Sequence, residues 1–354
     1  MGTRRIRVSV GSGRSKLDRW DDLGMQVFTN PTQNEIKIAA KSLKEGHLVA
    51  FPTETVYGLG ADAANEKAVG RIYSVKGRPT DHPLIVHISS INQLDKWAID
   101  IPDYATKLTN EFWPGPMTLI LKRSDSVGNF ITGGQDSVGV RVPAHQVALT
   151  LLGEFEKLGG LGVVAPSANK FGAVSPTNSS AVVEEIGLNL MSEDLILDGG
   201  NSFVGIESTI IDCTTYTPTI LRPGAITAEM IAGFTKLKPN ISDNKSKIKV
   251  SGLLDSHYAP IAKVALGTAA EPGDGFIALE NIKTPKGAIR LASPHDVEQY
   301  ANEIYEALRL GDKKGLNKIV VEPPSGEGLA LAIRNRLEKA AFIKISISNN
   351  NSIS

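Results

Sequence analysis

Short apolar runs recur along this chain at intervals that leave room for one helix or for none, and this spacing restricts the fold more than any other feature. Runs at Leu48–Phe51, Pro83–Ile88, Met117–Leu121, Val138–Val142 and Leu161–Ala165 have strand length. Helical segments at Asn65–Val75, Pro102–Phe112 and His145–Phe155 fall between several of them. The alternation predicts an α/β fold. Ser208–Asp212 and Thr219–Arg222 are joined by too few residues for a parallel crossover, so the sheet is expected to be mixed.

At 354 residues the chain exceeds what one hydrophobic core usually serves, and its length predicts about two domains. The stretch Lys236–Lys249 is rich in Lys, Ser and Asn and has no clear period, which suits a linker. After Pro260 the pattern restarts with expected strands at Lys263–Leu266, Phe276–Leu279, Ala288–Leu291 and Lys318–Val321. A helix is predicted from Pro294 to Leu310, with Ser293 as N-cap, Pro294 at the first helical position and Asp296 as the capping-box acceptor. This second unit reads as a smaller Rossmann-like α/β domain. Its phrases Gly273-Asp-Gly275 and Ser325-Gly-Glu-Gly328 lack the spacing of a dinucleotide fingerprint. The expected division is an extension over residues 1–24, a catalytic domain over 25–235, a linker over 236–260, the small domain over 261–345 and a polar tail over 346–354.

Lys plus Arg and Asp plus Glu both number 38, so no global basic field exists to hold a phosphate backbone, which argues against a dedicated nucleic-acid binder. A single cysteine, Cys213, excludes an intramolecular disulfide and fits a reducing compartment. No apolar run approaches the roughly 20 residues of a membrane helix, and a cytoplasmic location is expected. No His/Cys/Asp cluster has metal-ligand spacing, and no structural metal is expected.

The chemistry concentrates early. Phe51-Pro-Thr-Glu-Thr-Val-Tyr-Gly-Leu-Gly60, Lys76-Gly-Arg78-Pro79 and Pro83-Leu-Ile-Val-His-Ile88 place hydroxyls, two cations and an imidazole together, the makings of a small-anion pocket. If the chain is extended after the helix, Lys76 and Arg78 share a face and meet one phosphate chain, at roughly 1.5–3 kcal/mol per charge-assisted bond. The plainer reading makes them exposed charges at a helix C-terminus. Arg141 lies on the strand face opposite Val140 and Val142, and its planar fork matches a carboxylate. Ser167, Asn169 and Ser175 follow a buried strand into a loop, where α/β sheets present ligands, although Ser, Asn and Pro also build ordinary turns.

These segments, together with Phe112-Trp-Pro-Gly-Pro-Met-Thr-Leu119, Val140-Arg-Val-Pro143, Ala165-Pro-Ser-Ala-Asn169, Gly205-Ile-Glu-Ser-Thr209 and Leu221-Arg-Pro-Gly224, resemble the YrdC-type threonylcarbamoyl-AMP synthases. The resemblance covers roughly Val27–Pro260. Ser251-Gly-Leu-Leu-Asp-Ser-His-Tyr-Ala-Pro260 is similar to the linker signature of the family's long, two-domain form, though it opens Ser-Gly-Leu-Leu where the family more commonly has Pro-Gly-Met. Ala332–Ala341 is similar to the last helix of that form.

The resemblance implies a large twisted mixed sheet curved around a concave site, and synthesis of threonylcarbamoyl-AMP from L-threonine, bicarbonate and ATP with release of pyrophosphate. Mg2+ would be carried by the nucleotide. A separate tRNA-modifying complex would take the product, with no tight direct tRNA binding by this chain. Carried over residue by residue, Lys76 and Arg78 are the catalytic cations, and Thr53, His87, Arg141 and Ser208 bind threonine. Lys76, Arg78, Thr80, Ser137, Ser167, Asn169, Ser175, Arg222 and Tyr258 bind ATP, with Tyr258 at the tip of a lid. Glu54 and Glu207 are expected to fix loops rather than to move protons. Two rival readings are an RNA-binding module and carbamoyl transfer from carbamoyl phosphate. Neutral total charge opposes the first, and a lone cysteine, which cannot build the zinc modules of such enzymes, opposes the second.

Overall fold

The computed structural model describes residues 26–242, 248–252 and 257–342. Two sheets organise it. The larger is built from β1 (Gln26–Thr29), β2 (Val49–Phe51), β3 (Gly58–Asp62), β4 (Ile85–His87), β5 (Met117–Lys122), β6 (Ser137–Arg141), β7 (Val163–Val164), β8 (Leu195–Asp198), β9 (Thr209–Asp212), β10 (Thr219–Arg222) and β11 (Asn240–Ile241). Their order is β1-β8-β2-β3-β7-β4-β6-β5-β9-β10-β11. Parallel and antiparallel pairs mix as the short connections require: β9 and β10 run antiparallel, whereas β4 and β6 run parallel with a crossover between them.

The helices of this unit are α1 (Gln33–Lys44), α2 (Glu66–Lys76), α3 (Asp103–Phe112), α4 (Asn129–Thr132), α5 (Gln146–Lys157), α6 (Ser179–Ile186) and α7 (Ala228–Thr235). Local capping chemistry sets their starts. Thr32 and Glu35 close a reciprocal capping box on α1, and the Asn65 side chain accepts from the Ala68 amide to begin α2. Burial of Leu59, Ile72, Val86, Leu119, Val140 and Ile211 in one cluster holds the central strands against their helices.

The second unit holds β12 (Lys263–Leu266), β13 (Gly275–Ile277), β14 (Ile289–Ala292) and β15 (Lys318–Val321), with α8 (Val297–Lys313) and α9 (Leu329–Ala341). Its order is β12-β15-β13-β14 and every pair is parallel, the small α/β arrangement expected. Its core is not self-contained: Val56, Val174 and Ile206 of the larger unit and Tyr258 cluster with Ile304, Tyr305, Ile333 and Leu337.

Three local expectations need correction. Helix α8 begins at Val297, with Asp296 as its N-cap accepting from the Gln299 amide, while the Ser293 hydroxyl accepts from Arg290. The run Leu161–Ala165 supplies only Val163 and Val164 to the sheet. Within the stretch read as linker, Asn240–Ile241 pairs in parallel with β10. The expected extension, the polar tail and parts of the linker (243–247 and 253–256) lie outside the described residues. Among the described residues no helix is long and apolar enough to cross a membrane.

Candidate active site

Strand register creates the site. Parallel pairing of β4 and β6 puts His87 directly beside Arg141 at the strands' C-terminal ends, so imidazole and guanidinium share a face. A cavity opens there, lined by Thr55, Val56, Arg78, His87, Arg141, Ser167, Glu207, Ser208, Arg222, Ser251, His257 and Tyr258 among others. Three guanidiniums therefore converge on one hollow, with Glu207 as the carboxylate in its wall. Its interior volume is about 50 Å³, because Ser251, His257 and Tyr258 fill one side, and that is room for water rather than for a nucleotide.

Each guanidinium is aimed by the protein. Arg141 donates NH2 to Glu54 Oε1 at 2.6 Å, NH1 to Thr55 Oγ1 at 3.0 Å and Nε to the Gly115 carbonyl at 3.3 Å. Glu54, wholly buried, spends its other oxygen on the Ala144 amide at 3.0 Å, so its role is to orient Arg141 and the following loop. Arg222 donates to the Ser208 carbonyl and hydroxyl and to the Ser251 carbonyl. Arg78 donates to the carbonyls of His82 and Pro83 and to Ser251 Oγ at 2.9 Å, with its guanidinium 5.6 Å from the centre of the Phe171 ring. Burial, with Arg222 nearby, brings the Arg78 pKa down to about 10, still cationic at neutral pH.

The geometry corrects the pairing of Lys76 with Arg78. The chain is not extended there: Lys76 ends α2, and Gly77 takes a left-handed conformation (φ 62°) while Gly77 and Arg78 donate their amides back to Ser74 and Tyr73, a helix-ending reversal. The two side chains diverge. Arg78 enters the cavity, whereas Lys76 runs behind its wall and donates Nζ to the carbonyls of Ser167 and Asn169, holding the loop that presents Ser167. Burial above all, and then Arg78, pushes the Lys76 pKa well below the usual lysine range.

Of the other expected site residues, His87, Arg141, Ser167, Ser208, Arg222 and Tyr258 line the cavity. Thr53 stands one layer back: its hydroxyl contacts Thr55 Oγ1 at 2.8 Å and donates to the Val56 carbonyl, so Thr55 is the hydroxyl that faces inward. Asn169 braces its own loop through the Lys170 and Ala173 carbonyls, and Ser175 donates to Glu207 Oε1 at 2.6 Å. Ser137, at the far end of β6 from Arg141, lines an adjoining hollow that shares Ile85 and Ser251 with the main one. Thr80 is exposed in the turn after Arg78 and outside the lining.

His87 and His257 are neutral. Burial first and Arg141 second bring His87 down to about 3, and its Nδ1 lies 3.3 Å from the Ile85 carbonyl. Burial, reinforced by Lys76, Arg78 and Arg222, brings His257 to about 3 against the pull of Glu207. For Glu207 burial alone would raise the pKa. Arg336 and Arg222, with the bonds from Ser175 and Arg336, outweigh it and hold the carboxylate at about 2.

Sequence reasoning missed Phe171, the ring on which Arg78 and His257 rest, and the part played by Ser251. The departure from the family's linker opening was the available signal, since the serine supplies a hydroxyl to Arg78. A larger hollow of about 700 Å³ lies elsewhere; its lining carries hydroxyls from Tyr104, Thr214, Thr215, Tyr216 and Thr235, but Lys107 is its one cation and faces two carboxylates, Asp100 and Asp103. Among the described residues no three His, Cys, Asp or Glu are grouped as a metal requires.

Comparison with known proteins identifies the family. A family model described as telomere recombination, covering the Sua5, YciO and YrdC proteins, matches residues 41–224, and one described as the C-terminal domain of threonylcarbamoyl-AMP synthase matches 226–342. The chain is 40% identical to a threonylcarbamoyl-AMP synthase of Pyrococcus abyssi over 88% of its own length and 95% of the relative's. It is 38% identical to one of Bacillus subtilis, covering 92% and 98%. The crystal structure of P. abyssi Sua5 complexed with L-threonine superposes with a TM-score of 0.80 at 38% identity, over 90% of this chain and 97% of that one. The chain belongs to the Sua5/YrdC family of threonylcarbamoyl-AMP synthases.

Proposed function

We propose that this chain condenses L-threonine with bicarbonate and joins the resulting carbamate to the α-phosphate of ATP, releasing pyrophosphate and threonylcarbamoyl-AMP. The observation that carries the reading is the convergence of Arg78, Arg141 and Arg222 with the hydroxyl-bearing Thr55, Ser167 and Ser208 on one cavity. A carboxylate, a carbamate and a triphosphate need positive charge and fixed donors more than they need a nucleophile.

In this reading Arg141, pre-aimed by Glu54, takes the threonine carboxylate in its fork, and neutral His87 beside it offers a polar edge without a competing charge. The amine attacks bicarbonate carbon and water leaves. A carbamate oxygen then attacks the α-phosphorus while the bond to the bridging oxygen of the β-phosphate breaks. Arg78 and Arg222 receive the phosphates, and Lys76 fixes the Ser167 loop from behind, so it acts by positioning. Magnesium arrives with ATP, held by phosphates and water. Residues 25–235 form the catalytic domain, and Ser251, His257 and Tyr258 of the linker leave the cavity for nucleotide to enter. The enzyme works in the cytoplasm and hands its product to a separate tRNA-modifying complex.

The test is incubation with ATP, bicarbonate and candidate amino acids while pyrophosphate is measured. Turnover is expected with threonine, to depend on bicarbonate, to be small with valine, and to fall by more than tenfold in Arg141→Ala or Lys76→Ala protein that remains folded. Turnover indifferent to amino acid or to bicarbonate overturns the reading.

A further inference from the structure

The smaller unit reaches the cavity wall with side chains that the proposed chemistry does not use. From α8, Tyr305 donates its hydroxyl to Glu207 Oε2 at 2.9 Å. From α9, Arg336 donates Nε to the same oxygen at 2.9 Å and NH2 to the Glu207 carbonyl at 3.3 Å. The carboxylate of the cavity wall is thus compensated from the other unit as well as by Arg222 and Ser175 of its own. The ring of Tyr258 lies against the same pair, stacked on Tyr305 with centroids 5.8 Å apart and 23° between planes, and 5.4 Å from the Arg336 guanidinium. Tyr258 holds a left-handed backbone (φ 61°) that few tyrosines adopt, so its place depends on what surrounds it. Tyr305 and Arg336 are each 1% exposed, so these contacts exclude water.

The loop carrying Ser175 is tied to α8 as well. Arg309 donates to Glu185 at 2.9 Å and to the Val174 carbonyl, while Gly205, just before Glu207, lies so close to α8 that a Cβ would sit 2.4 Å from the Ala301 carbonyl.

We propose that Tyr305 and Arg336 are positioning residues for the nucleotide end of the cavity, so that the smaller unit sets ATP affinity from outside the catalytic sheet. The inference rests on the function proposed above. Without Arg336, a buried carboxylate with one guanidinium fewer beside it is left facing an incoming triphosphate. Arg141, Thr55 and His87 of the threonine end lie within the larger unit, and only Ser208, which follows Glu207 directly, links that end to the change, so the effect on threonine is expected to be much the smaller. The signature is therefore a KM split.

Arg336→Gln is expected to raise KM for ATP at least tenfold and to leave KM for threonine within twofold. Adding Glu207→Gln removes the stranded charge and is expected to recover most of the ATP KM. Tyr305→Phe keeps the ring and loses one hydrogen bond, for an expected rise of about threefold in ATP KM only; it also carries the test if Arg336→Gln does not fold. Unchanged ATP KM in folded variants, or equal rises for both substrates that Glu207→Gln fails to relieve, overturns the proposal. If the unmodified chain releases no pyrophosphate with threonine, the function reading fails, and this inference is then decided by calorimetric ATP affinity on the same variants.

Discussion

Two buried carboxylates, Glu54 and Glu207, flank the same cavity and do different work. Glu54 pairs with Arg141 within one unit, 87 positions along the chain, and aims a guanidinium that lines the cavity. Glu207 pairs with Arg336 across two units, 129 positions apart, and joins the smaller sheet domain to the cavity wall. Both pairs are almost fully removed from water, with side-chain exposures of 0% and 8% for the carboxylates. A buried pair gives little net stability relative to an apolar one but is costly to break. The contrast teaches that similar chemistry serves orientation in one place and assembly in the other.

Acid provides the largest test. His87 and His257 sit at about 3, below the ordinary histidine value of 6.5, so the unfolded chain binds their protons first. Their contribution to stability is complete above about pH 6.5 and is lost as pH falls, at about 1.4 kcal/mol per pH unit for each. Glu207, at about 2 against an ordinary 4.5, adds its own loss from about pH 4.5 downward. Urea midpoints measured from pH 7 to pH 3 are expected to drop from about pH 6.5 downward and more steeply below about pH 4.5, and Glu207→Gln is expected to remove that added steepness while the histidine slope remains. A flat profile would show that neither histidine is buried neutral.

Neutralising either carboxylate comes next. Glu54→Gln and Glu207→Gln each strand an arginine, at about 3–5 kcal/mol. Their unfolding curves should differ in shape. Glu54→Gln is expected to keep one transition, whereas Glu207→Gln separates the smaller unit and gives two by circular dichroism in urea. Identical shapes would erase the distinction between the two pairs.

Gly205→Ala probes the seam without touching charge. Its φ of 82° disfavours any side chain, and the added carbon meets the α8 backbone at Ala301 and Asn302, which cannot rotate away. A loss of about 1–3 kcal/mol from the strained backbone is expected as a lower urea midpoint, along with the two-step unfolding of Glu207→Gln. The smallest effect belongs to Lys313→Ala. Lys313 bridges Glu184 at 3.2 Å across the same seam but is about one-third exposed, so solvent screens it and less than about 1 kcal/mol is expected in the same assay.

The mixed sheet, the small parallel unit and most cavity residues were legible because strand length, connection length and residue type are local properties. Arg141 and His87 could each be placed on a strand, yet their adjacency came from the pairing of β4 with β6. Lys76 and Arg78 show the limit. A two-residue spacing suggested a shared face, but Gly77 reversed the chain and sent one cation into the cavity and the other behind it. Thr53, Asn169 and Ser175 were recognised as motif members, while their hydroxyl or amide groups turned out to shape loops around the lining residues. For α8, a plausible Ser-Pro start lost to Asp296, whose carboxylate accepts from the Gln299 amide three positions on.

The amino-acid order alone fixed the alternating elements, the set of cations and hydroxyls, and the family to which they are similar, because those depend on neighbours a few positions apart. Which of those groups face the same water-poor hollow, and that Tyr305 and Arg336 from the last third of the chain close its wall, were decided by tertiary packing. The reason is physical: a buried carboxylate accepts whichever donors the fold brings within about 3 Å, and separation along the chain carries no information about that distance.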